Sequence, residues 1–238
     1  MLPIITTFAW VPPFARGFVR DIRARWACEE VGQPYDVVLI RNAKTPEHRC
    51  HQPFGQVPTY RDDEVEIFES GAIVLRIAER AGHLIPADPA ARIRAIQWLI
   101  AALNSVEPFV MAIAVNDIFE ADRDWSKARH AKVVEDLHGR LRDLEAALGN
   151  NPWIDGHTFT VGDLMLVSVL GGLRGSGQLD GFPILANYVE RGEARPAHCK
   201  AMADQLALYA DPIPVGSSAT SNHREVSVQQ QEREDGQP

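Results

Sequence analysis

The pattern of apolar residues changes near residue 83, and this change limits the possible folds more than any other feature. Before it, short β-branched runs alternate with helical periodicity in the order strand, helix, strand, connection, strand, strand, helix. After it, nearly every apolar stripe repeats at helical spacing. A strand, crossover helix and strand form a parallel pair, and a following hairpin adds antiparallel strands. We therefore expect an α/β domain with a mixed four-stranded sheet, followed by an all-helical domain.

Proline and glycine punctuate this order and bound the expected elements. The first half is predicted to hold strands at 4–8 and 34–40, a helix at 18–31, a short helix within 42–53, a hairpin at 54–68 and a helix at 70–81. The second half is predicted to hold helices from 92 past a kink at 108, and at 125–148, 160–173, 184–191 and 197–209. The chain thus divides into an α/β domain at 1–82, a linker at 83–91, a helical domain at 92–210 and a tail at 211–238. The tail carries too few apolar residues to offset its ordering entropy, so we expect it to be disordered.

The overall composition excludes several classes of protein. The net charge is −8 and we find no basic stripe, which argues against nucleic-acid binding. No apolar run approaches the roughly 20 residues of a membrane span, and the N-terminus lacks the pattern of a secretory signal. The cysteines, Cys28, Cys50 and Cys199, are odd in number and widely spaced, which favours a reducing, cytoplasmic location over a disulfide framework. Cys28 lacks a CxxC partner and is expected to be a core thiol.

The hairpin contains the dipeptide Val57-Pro58, which has two interpretations. A cis peptide bond would turn the main chain of Val57 outward, where an extended peptide could pair with it. An ordinary edge strand with a trans proline that discourages aggregation is the alternative, and this dipeptide alone favours it. His48, Cys50 and His51 lie nearby, but their spacing matches no standard zinc pattern, so no metal site is expected.

Glu69 and Ser70 follow the hairpin and begin the next helix. Ser70 suits a helix cap, which is sufficient reason for its presence. Helix N-terminal amides and a serine hydroxyl also bind a carboxylate, and Glu69 could accept a hydrogen bond from an α-ammonium group. Together these residues suit the amino-acid end of a peptide ligand whose backbone pairs with Val57.

Three segments carry a resemblance to one family. FGQVPTYRDDEVEIFESGAIVLRIAER resembles the glutathione-binding half of cytosolic glutathione transferases, theta-like or unclassified bacterial members among them. GFVRDIRARWACEEVGQPYDVVLI is similar to the first helix and second strand of the same thioredoxin-like domain. NNPWIDGHTFTVGDLMLVSVL is similar to a segment of the helical domain, with a capping box from Thr160 to Asp163 and a hydrophobic staple between Phe159 and Leu164.

The resemblance implies how glutathione is held. The main chain of Val57 would pair with the cysteinyl backbone, with Pro58 in the cis form. Glu69 and Ser70 would hold the γ-glutamyl end. Near the glycyl carboxylate the resemblance implies Gln56 and Lys44, although Lys44 suits a solvated loop lysine equally well.

The sequence departs from the family at the residue that activates the thiol, which is a Tyr, Ser or Cys in other members. Its position falls at Phe18, and no Tyr, Ser or Cys precedes Phe18 in the loop. Amides and the dipole at a helix N-terminus also stabilise thiolates, so we expect Arg16 with the amides of Gly17 and Phe18 to serve instead. A hydroxyl of Thr6 or Thr7 is the alternative, and Arg16 also suits a plain surface position.

An electrophile pocket is expected between the domains, where such pockets usually lie. The candidates are Trp10, Phe14, Ser105, Pro108 and Met111, all of which also suit core positions. The resemblance implies a cytoplasmic, homodimeric glutathione transferase that joins glutathione to a hydrophobic electrophile in detoxification, without a metal. The alternatives are a non-catalytic glutathione-binding or regulatory protein and a glutathione-dependent peroxidase or isomerase.

Overall fold

The computed structural model describes residues 1–209, so the disorder predicted for 211–238 and the predicted domain end at 210 lie outside the described residues. The strands are β1 Ile4–Phe8, β2 Asp36–Ile40, β3 Thr59–Arg61 and β4 Glu66–Phe68. The helices are α1 Asp21–Val31, α2 Pro46–Arg49, α3 Ser70–Ala81, α4 Pro89–Ala101, α5 Glu107–Ala114, α6 Asp124–Leu148, α7 Val161–Leu170, α8 Pro183–Glu193 and α9 Pro196–Ala207.

The strands form one mixed sheet in the order β2-β1-β3-β4. Strand β1 runs parallel to β2, and β3 lies antiparallel to both β1 and β4. Helices α1 and α3 pack together against one face of the sheet, and Ile5 and Tyr60 are fully buried there. Helices α4 to α9 make up the second half of the molecule. The predicted fold class, an α/β domain with a mixed four-stranded sheet followed by an all-helical domain, is therefore confirmed.

Helix α1 begins at Asp21 rather than near residue 18, because the preceding segment forms turns of its own. In these turns the amide of Ala15 donates to the carbonyl of Pro12 at 2.9 Å, and the amide of Phe18 donates to the carbonyl of Ala15 at 3.1 Å. The helix ends as predicted at Gly32, whose φ of 67° lies in the left-handed region that favours glycine.

Helix α4 begins at Pro89, ahead of the predicted start at residue 92. The side chain of Asp88 accepts a hydrogen bond from the amide of Ala91 at 2.8 Å and caps the helix. Proline is favoured at the first helical position because its missing N–H would have no partner there. The sequence DPAAR, predicted to be linker, is therefore the first turn of the helix.

Helices α4 and α5 join through a wide turn at 102–106 into a helical stretch, Pro89–Phe119, of 31 residues. The amide of Glu107 donates to the carbonyl of Ala102, and the missing N–H of Pro108 explains the wide turn at the predicted kink. The stretch is long and apolar enough to cross a membrane by length and composition alone, so the prediction of no such run was wrong. Polar residues interrupt the stretch, so the sequence shows no unbroken apolar run there. Its inward side chains, such as Leu99 and Val110, belong to the protein's hydrophobic core.

Helix α7 is the central helix of the second half, and its first turn carries the predicted capping box. The carboxylate of Asp163 accepts from the amide of Thr160 at 2.9 Å, from the amide of Ile154 at 2.7 Å and from the hydroxyl of Tyr188 at 2.8 Å. Burial raises the pKa of Asp163, and these hydrogen bonds oppose that effect. One buried carboxylate therefore ties α7 to the preceding loop and to α8.

Candidate functional site

The hairpin brings Val57 and Ser70 to the same end of the sheet. Thr59 at the start of β3 pairs with Phe68 at the end of β4. Val57, just before β3, therefore lies beside Ser70, just after β4. The Val57-Pro58 peptide bond is cis, as the resemblance implies. No hydrogen bond within residues 1–209 uses the main-chain N–H or C=O of Val57. An extended peptide could therefore pair with this residue.

The loop before Val57 is held from three sides. The ring Nε2 of His48, a buried residue, lies 2.7 Å from the carbonyl oxygen of Gln56, and the side chain of Gln52 accepts from the amide of Gln56 at 3.2 Å. Lys44 donates its ammonium group to the carbonyl of Phe54 at 2.9 Å. Lys44 and Gln56 thus lie in neighbouring loops, with the Gln56 side chain exposed.

Gly55 allows these two loops to approach closely. Its φ is +61°, and a Cβ added there would lie 2.7 Å from the carbonyl oxygen of Ala43. Any larger residue would therefore displace Gln56 and Val57 from Lys44. Neither this glycine nor the support from His48 was assigned a role from the sequence.

Glu69 and Ser70 form the start of α3, next to Val57. Glu69 is exposed and has a φ of 69°, an uncommon conformation for a residue with a Cβ, and such conformations concentrate at functional sites. The side chain of Ser70 is buried, and its Oγ accepts a hydrogen bond from Nη1 of Arg23 at 3.0 Å. Because Oγ is engaged as an acceptor, its own proton is free to be donated to a carboxylate.

Arg23 links this serine to the helical half of the molecule. Its Nη2 lies 2.8 Å from Oε1 of Glu107 on α5, and Arg20 contacts the same carboxylate at 2.9 Å. Burial lowers the pKa of Arg23, and the charge of Glu107 opposes that effect. Burial also raises the pKa of Glu107, but Arg23 and Arg20 outweigh it, and the net shift is downward. The arginines and Glu107 therefore remain charged, and Arg23 holds the hydroxyl of Ser70 in place.

None of these contacts was predicted from the sequence. Helical periodicity alone would place the arginines of α1 on the outer face, but Arg23 and Arg25 are 5% and 2% exposed. The partner of Arg23, Glu107, is distant in sequence. The partner of Arg25 lies on the same helix, since Arg25 donates to Asp21 at 2.6 Å. A buried arginine cannot be recognised from apolar periodicity, because what makes its burial possible is a carboxylate elsewhere in the chain.

The residues proposed for the thiol lie in the turn before α1, not at its N-terminus. The amide of Phe18 is already bonded to Ala15, and Gly17 packs against α9, where an added Cβ would lie 3.2 Å from Sδ of Met202. Arg16 is half-buried, and its Nε is buried without a hydrogen-bond partner among residues 1–209. Arg16 thus has an unsatisfied side-chain donor, and the amide of Gly17 also makes no hydrogen bond within residues 1–209.

The two threonines considered as alternatives point to opposite faces of β1, as successive strand residues do. Thr7 is fully buried on the face that α1 covers. Thr6 lines a pocket on the other face.

The candidate electrophile residues lie on both sides of the boundary between the two halves. Phe14 stacks edge-to-face on Phe119, with ring centroids 5.6 Å apart, and Trp10 is 55% exposed. Ser105 and Pro108 are exposed and Met111 is half-buried. Phe119 was not predicted, because its position at the end of the second wide turn, 115–119, does not follow from regular helical spacing.

Cys28 and the metal-binding types of side chain are two further kinds of chemical group. Burial raises the pKa of the Cys28 thiol to about 12, as befits a core thiol. Across residues 1–209, no cluster of three or more His, Cys, Asp and Glu side chains could hold a metal ion.

Two family models match the chain. The N-terminal domain of glutathione S-transferase matches residues 21–85, and the C-terminal domain of glutathione S-transferase matches residues 124–191. Glutathione S-transferase 1 of Zea mays is 32% identical over 165 residues, which cover 62% of this chain and 72% of that relative. The chain belongs to the glutathione S-transferase family.

Other relatives match over most of the chain. Glutathione S-transferase 4 of Zea mays is 25% identical over 229 residues, covering 91% of this chain and 96% of that protein. The disulfide-bond oxidoreductase YfcG of Escherichia coli is 25% identical over 187 residues, covering 73% and 86%. The theta class glutathione S-transferase of Xanthomonas axonopodis pv. citri, solved with glutathione bound, superposes with a TM-score of 0.68 at 25% identity, covering 84% and 96%.

Proposed function

We propose that this protein is a glutathione transferase, which joins the glutathione thiolate to a hydrophobic electrophile. The observation that carries the proposal is the shared end of the hairpin, where the main chain of Val57, which makes no hydrogen bond within residues 1–209, lies beside Glu69 and Ser70. A γ-glutamyl peptide needs a pairing edge, a carboxylate site and an ammonium acceptor, and this end offers all three.

Each part of glutathione has a proposed contact. The cysteinyl backbone pairs with Val57. The γ-glutamyl carboxylate meets Ser70, which Arg23 orients, while Glu69 accepts from the ammonium group. The glycyl carboxylate meets Gln56 and Lys44. Membership in the family and a theta class relative solved with glutathione bound support this assignment.

Thiol ionisation is the step for which this chain needs an unusual donor. We infer that Arg16 supplies it, since a nearby fixed positive charge lowers a thiol pKa. The proton leaves to solvent, and the thiolate forms a bond to the electrophilic carbon. In a substitution the bond from that carbon to its leaving group breaks and its electron pair departs with the group; in a conjugate addition the π electron pair moves along the conjugated system and takes up a proton. Holding both reactants in one cleft makes the attack effectively unimolecular.

The electrophile would lie at the domain boundary. The rings of Phe14 and Phe119 pack edge-to-face. The indole of Trp10, in the same loop as Phe14, is exposed. Ser105, Pro108 and Met111 extend this surface along the helix. Rings of this kind favour flat, apolar substrates.

Calorimetric titration with glutathione tests the site. We expect Ser70→Ala and Glu69→Ala each to weaken binding about tenfold, because each removes one charge-assisted hydrogen bond. Glu79→Ala, on the exposed far turn of α3, is the matched control and should bind as the parent protein does. Absence of glutathione binding, with both site variants silent, would contradict the proposal.

A second candidate is a glutathione-dependent disulfide oxidoreductase. It is favoured by the missing Tyr, Ser or Cys at the thiol position and by the similarity to YfcG of Escherichia coli. Reduction of a mixed disulfide by glutathione, with no conjugation of chlorodinitrobenzene, would decide for this activity over the transferase. Glutathione binding with neither activity would identify the non-catalytic binding protein, and turnover of a peroxide or an isomerisable substrate would identify the remaining alternatives.

We further propose a homodimer in the cytoplasm, with domains at 1–82 and 92–210 joined by the segment 83–91, whose last three residues form the first turn of α4. The dimer proposal is supported by the exposed apolar face of α4, where Ile93 is 61% and Ile100 is 49% exposed. The three free cysteines support a reducing compartment.

A further inference from the structure

Gln205 is a fully buried polar side chain on α9, at the place where this helix meets the loop before α1, residues 9–20. Its Nε2 donates to the carbonyl of Val19 at 3.0 Å and to Oδ1 of Asp21 at 2.6 Å. Val19 lies near the end of the loop, and Asp21 is the first residue of α1. One amide group of α9 therefore bridges the loop and the helix that follows it.

This bridge helps to explain where α1 begins. The carbonyl of Val19 also accepts from the amide of Ile22 at 3.1 Å, so both of its lone pairs have a donor. The carboxylate of Asp21 is held on both oxygens, because Nε of Arg25 donates to Oδ2 at 2.6 Å while Gln205 donates to Oδ1. The backbone is thus fixed at the junction between the loop and α1.

The fixed junction lies close to Arg16 in the chain. Arg16 precedes Val19 by three residues, and between them Gly17 is buried against Met202, which lies one turn before Gln205 on α9. Helix α9 therefore meets the loop at two points directly after Arg16, once by packing and once by a hydrogen bond. An arginine has a long side chain with many rotamers, so its charge is placed accurately only where the supporting backbone is held.

Stability alone accounts poorly for a glutamine at this position. Oε1 of Gln205 is buried and has no hydrogen-bond partner within residues 1–209. A buried acceptor left unpaired costs about as much free energy as a hydrogen bond contributes, so the two effects offset each other. An apolar side chain of similar volume would avoid that cost. It could not hold the carbonyl of Val19, which points to a role in the geometry of the loop.

We propose that Gln205 is a positioning residue for thiol ionisation: by holding Val19 and Asp21, it fixes the loop that carries Arg16 to the glutathione thiol. This inference rests on the proposed role of Arg16. The proposal gives Gln205 no contact with glutathione or the electrophile. Its effect belongs to the pKa of the bound thiol and not to the affinity for glutathione, whose proposed contacts lie on the hairpin and α3.

The first measurement follows the loop without a ligand, in Gln205→Met, which removes the donors and keeps a side chain of similar size. Hydrogen–deuterium exchange in the peptide spanning the loop should be about tenfold faster than in the parent protein. Arg195→Met is the matched control. Arg195 precedes α9 and donates to both carboxylate oxygens of Glu30, near the far end of α1, at 2.6 and 2.7 Å. Its loss should lower stability in urea and leave exchange in the loop unchanged.

The second measurement is the pKa of the thiol of bound glutathione, read from thiolate absorbance. We expect Gln205→Met to move this pKa toward that of free glutathione, with the Kd for glutathione within about twofold of the parent value. Arg195→Met should leave the thiol pKa where it is in the parent protein. Circular dichroism melts confirm that each variant is folded. If Gln205→Met is not, Gln205→Asn, which draws the amide back by one methylene, gives the same comparison.

Three results would overturn the role of Gln205 alone. In the first, exchange in the loop is the same in Gln205→Met and the parent protein. In the second, exchange is faster but a thiol pKa that is lowered in the parent protein stays lowered in the variant. In the third, Gln205→Met and Arg195→Met have equal effects. A thiol pKa that is not lowered in the parent protein is a different result, because it overturns the proposed thiol activation and this inference with it.

Discussion

At the scale of single residues, one carboxylate on α5 explains how the candidate site is held in place. Glu107 binds Arg20 and Arg23, and Arg23 in turn holds the hydroxyl of Ser70. The position of Ser70 therefore depends on the helical half of the molecule as well as on its own helix. If Ser70 binds glutathione as proposed, this coupling makes that binding sensitive to residues outside the α/β half.

Glu107→Gln tests this coupling. Removing one partner leaves Arg23 buried with an uncompensated charge, so we expect the free energy of unfolding to fall by about 3 kcal/mol. We also expect weaker glutathione binding in calorimetry, because Arg23 loses its anchor. Urea denaturation of the variant gives the first quantity.

Glu135→Gln is the matched control for this prediction. Glu135 pairs with Lys132 on the solvent face of α6, where its side chain is 72% exposed. Exposed pairs contribute little, so no measurable change in stability is expected. Equal effects of the two substitutions would contradict the role given to Glu107.

At the scale of elements, the hairpin turn is secured to α3 through Asp62. This carboxylate accepts from the amides of Glu64 and Val65 at 2.9 Å, and Arg76 of α3 donates to it at 3.0 Å. Burial raises the pKa of Asp62, but these bonds outweigh burial and hold the pKa well below its usual range.

The pH dependence of stability follows from this shift. A carboxyl whose folded pKa is depressed stabilises the fold above its unfolded pKa of about 3.9, and the contribution is lost as pH falls through the folded value. Asp62→Asn should therefore lower the free energy of unfolding at pH 7 by about 1–2 kcal/mol. The difference from the parent protein should shrink at pH 3. A difference that is the same at both pH values in urea denaturation would refute this explanation.

The capping carboxylate of α7 makes a second prediction at this scale. Asp163→Ala leaves the amides of Thr160 and Ile154 and the hydroxyl of Tyr188 buried without their acceptor. We expect a loss of about 3 kcal/mol or more in urea denaturation. Asp143→Ala, whose side chain is 74% exposed on α6, should change little. Comparable losses in the two variants would show that the capping carboxylate has no special role.

Much of the element order could be predicted from local pattern. Strand β1, helix α3 and the capping box of α7 follow from β-branched runs, from helical periodicity and from the spacing of Thr160 and Asp163. The start of α1 could not be predicted, because the turns at 13–18 compete with the helix there. The burial of Arg23 and the contact of Phe14 with Phe119 could not be predicted either, since they depend on residues 84 and 105 positions away in the chain.

At the scale of the whole molecule, the loop before α1 lies across the helical half. Phe14 contacts Phe119, Gly17 contacts Met202 of α9, and Arg174 lies over the ring of Phe18 at 5.3 Å. The loop to which we assign thiol activation is thus shaped by the helical half. This arrangement favours a cleft in which both halves contribute to one reaction.

The exposed apolar face of α4 leads to a prediction about assembly. If this face lies in a homodimer interface, Ile100→Glu should convert the protein to a monomer, because a buried unpaired charge is costly. Light scattering would then report half the mass of the parent protein. Leu206→Glu, at an apolar position of α9 that is 41% exposed, is the control and should leave the mass unchanged. A parent protein that is already monomeric would contradict the dimer.

The central claim is that the cleft binds glutathione and ionises its thiol without a Tyr, Ser or Cys. The most direct test is the ultraviolet thiolate absorbance of bound glutathione across a pH series, in the parent protein and in Arg16→Gln. We expect the bound thiol pKa to lie about one unit or more below that of free glutathione, and to return toward the free value in Arg16→Gln. Tight binding with an unshifted thiol pKa would contradict the transferase.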